Sequence, residues 1–104
     1  MITVGMYYEV IPEKSALFRE KYEQVLALLK TMPGHTRSFL YQRVDDPDSY
    51  AILSEWSDRQ AFLDFIGSEA FRQVTTWGRE RVLRGAPRHT IYPAAEELGR
   101  PSPG

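Results

Sequence analysis

The sequence predicts an α+β domain whose elements run β-α-β-β-α-β. Three observations carry this. Apolar side chains alternate with period two over residues 2–11. Apolar side chains then recur at helical spacing over residues 13–32. A polar run, Asp45-Asp46-Pro47-Asp48-Ser49, separates two further strand-like segments. A chain of 104 residues is the size of one domain, and 42% hydrophobic with 26% charged residues is the composition of a folded one.

In the first strand, Ile2, Val4, Met6, Tyr8 and Val10 share one face. The other face carries Thr3, Gly5, Tyr7, Glu9 and Ile11. It is mixed rather than polar, so both faces are expected to be covered. Gly5 leaves room for a close neighbour. Pro12 ends the strand. The helix over 13–32 presents Phe18, Tyr22, Val25, Leu29 and Met32 as one stripe, widened by Leu17, Leu26 and Leu28. Pro33-Gly34 stops it. The second strand, 35–44, alternates His35, Arg37, Phe39, Tyr41 and Arg43 against Thr36, Ser38, Leu40, Gln42 and Val44. The third spans 50–56.

Ser57 and Gln60 have the spacing of a capping box, which opens a helix with Phe62, Phe65 and Ile66 on its apolar face. Gly67-Ser68 breaks it. Ser68 caps a second segment carrying Phe71, Val74, Trp77 and Val82, which ends near Gly85. Residues 86–93 supply a fourth strand. The domain is thus placed at 1–93, with 94–104 a flexible tail. This order is the split βαβ pattern of ferredoxin-like folds: a four-stranded antiparallel sheet with its helices on one face. A second copy of the chain is the simplest cover for the other face.

Composition excludes several functions. The formal net charge is −1, from 13 basic and 14 acidic residues, so phosphate neutralisation gives no case for nucleic acid. Arg79, Arg81, Arg84 and Arg88 read as a solvated helix face. With no cysteine there is no disulfide, thiolate metal site or cysteine nucleophile. The N-terminal run lacks the basic start of a signal peptide, and no apolar stretch approaches the ~20 residues of a membrane span. A cytoplasmic protein without a membrane partner is the expectation.

Few side chains can carry chemistry. His35 and His89 are the only histidines, without the spacing of a metal pair, so no metal site is assigned. Tyr7 and Tyr8 are adjacent and point to opposite faces. Trp56, Phe62, Phe65, Phe71 and Trp77 make a core, or a cavity for a flat aromatic ligand. Arg37 is placed either against a phenolate or carboxylate, or in an interface ion pair. Asp45, Asp46 and Asp48 read as turn formers.

Two runs carry a resemblance. Met32-Pro33-Gly34-His35 precedes the second strand. Glu55-Trp56-Ser57-Asp58-Arg59-Gln60-Ala61-Phe62 is followed by Ser68-Glu69-Ala70-Phe71. Together they resemble the antibiotic biosynthesis monooxygenase-like proteins over about residues 1–92. The resemblance implies a dimeric α+β barrel with a pocket between each sheet and its own helices, and it places Tyr7 facing that pocket. Members include cofactor-free monooxygenases that oxidise phenols to quinones, and haem-degrading enzymes. The haem-degrading pattern of asparagine, tryptophan and histidine falls here near Tyr7, on Phe65 and on Thr75. All three differ, and threonine is not an ordinary iron ligand. No cofactor is therefore expected.

The resemblance implies a monooxygenase acting on a small phenolic or polyketide-like aromatic with dioxygen. Tyr7, Arg37 and His89 are its catalytic candidates; Trp56, Phe62, Phe65, Phe71, Thr75 and Trp77 are its pocket. A non-catalytic or stress-related domain that holds a small hydrophobic ligand, or a haem binder using His35 or His89, are the alternatives.

Overall fold

A computed structural model describes residues 1–92; the expected tail, 94–104, lies outside the described residues. The elements are β1 (Ile2–Glu9), α1 (Ser15–Leu29), β2 (His35–Gln42), β3 (Ser49–Trp56), α2 (Arg59–Ile66), α3 (Glu69–Arg81) and β4 (Arg88–Tyr92). The strands form one sheet in the order β2-β3-β1-β4, and every neighbouring pair is antiparallel. This is the ferredoxin-like α+β fold. No helix among the described residues is long and apolar enough to cross a membrane.

The alternation in β1 decides which face meets the helices. Val4 and Met6 pack with Ile52 and Trp56 of β3, Tyr22 and Leu29 of α1, and Phe62 and Phe65 of α2. Val10, Phe18, Tyr50, Val82 and Leu83 form a second buried cluster. Leu83 is held there by a bridge to Val10 just beyond β1.

Helix ends differ from the sequence reading by a residue or a turn. α1 begins at Ser15 rather than Glu13, because Glu13 takes a left-handed φ of 81° that no helix accommodates. Pro33-Gly34 makes the turn into β2. Gly34 has a φ of 85°, and a Cβ there would lie 2.5 Å from that of Ala61, so glycine is required twice over. The cap of α2 is Asp58, whose carboxylate accepts the Ala61 N–H at 2.8 Å. Ser57 instead extends β3 by donating its N–H to the Gly34 carbonyl. Ser68 caps α3 as expected, accepting from the Phe71 N–H. α3 ends at Arg81, earlier than Gly85, because Val82 and Leu83 turn inward to the second cluster.

β2 holds a further correction. His35 pairs with Trp56, but Arg37 pairs with Glu55, so Thr36 is an extra residue in the ladder. The bulge puts His35 and Arg37 on opposite faces. His35 sits on the helix side, edge-on to the Trp56 ring at 5.2 Å, with Nε2 2.7 Å from Ser38 Oγ. Arg37 lies on the reverse face and donates Nη2–H to Glu55 at 3.1 Å.

Candidate functional site

The two buried clusters do not close on one another. Between them runs a cavity of about 50 Å³, floored by Met6, Tyr8 and Ile52 of the sheet. Phe18, Tyr22 and Val25 of α1 form one wall, and Phe71, Val74, Thr75, Trp77 and Gly78 of α3 form the other. The α3 wall is the looser one. That helix buries no residue completely, whereas α1 buries Phe18, Tyr22 and Leu29.

Tyr8 is the polar group of the floor. Among the described residues its hydroxyl meets only the Met6 sulfur, at 3.7 Å, and a thioether is a weak acceptor. Burial pushes this phenol far above its ordinary value, so it stays protonated and available as a donor. Tyr22 is raised too, by burial first and by the Glu23 charge second. Among the described residues, no histidine or carboxylate lines the cavity, and Lys21 is the single charged residue there.

The sequence-predicted residues separate on this map. Phe65, Phe71, Thr75 and Trp77 line the cavity. Trp56 and Phe62 do not: both are fully buried in the first cluster, with Trp56 Nε1–H donating to Ser54 Oγ at 3.0 Å. Their rings meet edge-on, with centroids 5.8 Å apart, where Phe62 of α2 lies against β3.

Tyr7 faces away from the cavity, contrary to what the resemblance implied. It pairs with Ala51 on the reverse face, where its ring folds back over Gly5, and its hydroxyl bonds that of Tyr92. The Tyr92 bond first, and burial second, raise this phenol, with Arg88 opposing from 5.6 Å over the ring. Arg37 shares that reverse face. His89 is on the helix side, exposed on the edge strand and 5.6 Å from the Phe62 ring, without lining the cavity. The three catalytic candidates therefore do not converge. Nor do the arginines form one face: Arg84 pairs with Glu9, and Arg88 covers Tyr7. Asp46 and Asp48 do shape the hairpin, the Asp48 N–H donating to Asp46.

Tyr8, Met6, Tyr22 and Lys21 were missed as site residues. The alternation that set Tyr8 beside Val4 and Met6 was the available signal for it, and Lys21 adjoins the α1 stripe.

Residues 1–77 match the family model described as antibiotic biosynthesis monooxygenase. This chain belongs to that family. The fold is similar to that of a solved structure from Deinococcus radiodurans, named as a candidate antibiotic biosynthesis monooxygenase. It is 15% identical, covers 92% of this chain and 94% of its own, and has a TM-score of 0.82. SnoaB of Streptomyces nogalater, described as a cofactor-independent oxygenase, is 22% identical over 95% of this chain and 97% of its own, with a TM-score of 0.79. At such identities the likeness is one of fold. A protein of Natronomonas pharaonis, named as a candidate haem-binding protein, is 40% identical over 86% of this chain. The match spans only 15% of that protein's length, so its name describes a much larger molecule.

Neither His35 nor His89 lines the cavity, so histidine ligation of a haem iron has no counterpart there.

Proposed function

We propose that this family member is a cofactor-independent oxygenase domain that takes a small phenolic aromatic into the cavity between the sheet and α3. The observation that carries the reading is the Tyr8 phenol: half-buried, protonated and poorly partnered at the floor of a mostly apolar chamber. Such a group donates to a substrate oxygen and steadies charge that develops on it.

In the reaction, one atom of dioxygen enters a ring carbon as a carbonyl and the other leaves as water. The substrate supplies all the electrons. With no carboxylate or histidine in the walls among the described residues, the phenol enters already ionised, and the chain's contribution is to orient it and to exclude water. An aromatic ring needs more space than the cavity holds; an engineered cavity that takes benzene is about 150 Å³. Loosely packed α3 moves outward to admit it.

We further infer that a second copy of the chain covers the reverse face of the sheet. Phe39 and Tyr41 stand 47% and 51% exposed there, beside Leu53 and Ala51. An apolar sheet face of this kind is stable when paired.

Pure protein mixed under air with a panel of one- to three-ring phenols, including an anthrone, tests the reading. Oxygen uptake and quinone absorbance above the buffer rate are expected, and Tyr8→Phe should lower kcat about tenfold or more. No rate on any phenol would refute the oxygenase. The absence of a wall base favours the second reading, a domain that holds an aromatic ligand without changing it.

A further inference from the structure

Lys21 is the one charged residue of the cavity among the described residues, and no assigned role uses it. It sits half-buried on α1, one residue before Tyr22. Its ammonium lies 4.7 Å from the centroid of the Trp77 ring on α3. Nζ donates to Gln24 Oε1 at 3.1 Å, and no carboxylate among the described residues pairs with it. The remaining lining side chains among the described residues are neutral. A lysine placed this way lays its aliphatic stem along the apolar wall and keeps its charged head toward water. It uses one of three donors on Gln24 and holds the others free.

We propose that Lys21 is a specificity-determining residue that selects aromatic ligands bearing an anionic oxygen, a carboxylate or a phenolate. The inference rests on the cavity being the ligand site. The ring enters between Phe18, Phe71 and Val74, while the anion stays at the rim against the ammonium. This division avoids carrying the charge into the apolar interior, where an unpaired ion is costly. It also explains why a cavity without a base can serve an ionised substrate: the charge is read at the entrance. Because the same ammonium bridges α1 to Trp77, an arriving anion competes for the contact that ties α3 to α1, and the looser helix is released as the ligand enters.

The test uses two probes of equal shape, 1-naphthoate and 1-naphthamide. Their dissociation constants are measured by NMR titration, following the Trp77 indole N–H and the Val74 methyls. The wild-type chain should bind the carboxylate about two- to fivefold tighter than the amide, the range of a partly screened charge pair. The preference should shrink at about 1 M salt, where the screening length is about 3 Å. Lys21→Met should bring the ratio of the two constants to about one, and Lys21→Arg should keep it above one. Equal binding of both probes by the wild type would overturn the assignment and leave the cavity as the ligand site. A preference that survives in Lys21→Met would place the anion elsewhere and overturn it as well. No shift at Trp77 or Val74 with either probe would remove the cavity reading and this inference with it.

Discussion

His35 shows how one inserted residue changes the chemistry of a side chain. Alternation alone would have set it beside Arg37 on the reverse face. The bulge at Thr36 instead tucks it against Trp56. Burial there, with the Lys30 ammonium second, holds the imidazole below its ordinary 6.5. The folded chain thus binds fewer protons at this site than the unfolded one. The stability it contributes is complete above 6.5 and is lost as the pH falls through the lowered folded value. His35→Gln should therefore flatten the fall in urea midpoint between about pH 7.5 and about pH 5. An unchanged slope would mean that the ring titrates as it does in the unfolded chain. Tyr8 makes the complementary case. Its strand keeps strict pairing from Ile2 to Glu9, so the period of two holds and the phenol shares the face of Val4 and Met6. The alternation grouped Tyr8 with Val4 and Met6 without saying which face meets the helices; the resemblance pointed Tyr7 inward, whereas Tyr8 is the one that lines the cavity.

Among the elements, α2 tests how closely cap and strand end are defined. Ser57 and Gln60 have capping-box spacing, yet the Ser57 backbone is engaged with Gly34 and the carboxylate of Asp58 takes the cap. Asp58→Ala should cost about 1 kcal/mol in thermal or urea unfolding, and Ser57→Ala distinctly less. Equal losses would return the cap to Ser57. The competition explains what could be read in advance. Long periodic elements such as α1 and β1 were legible because many residues repeat the same signal. The bulge has no side-chain signature, and the cap was contested by adjacent residues of the same capping class. The cavity was half legible. Phe65, Phe71, Thr75 and Trp77 fell in the right stretch, but Trp56 and Phe62 became solid core, because a void depends on where two clusters fail to meet. Local pattern does not encode that gap.

Over the whole molecule, the two faces of the sheet have different fates. The helix side carries both clusters and the cavity; the reverse side leaves Phe39 and Tyr41 open in the single chain. A wild-type dimer in sedimentation velocity, and dissociation by Phe39→Glu, are expected. That variant would carry a carboxylate into the apolar contact, where desolvation opposes pairing. A monomeric wild type would remove the paired-sheet arrangement without touching the cavity. The cavity itself is tested most directly by a complex structure with an aromatic acid such as 1-naphthoate. The account predicts the ring between Met6, Ile52, Phe71 and Val74, with α3 displaced outward and Tyr8 unchanged in place. A ring seated on the reverse face beside Tyr7 and Tyr41, with α3 unmoved, would contradict it.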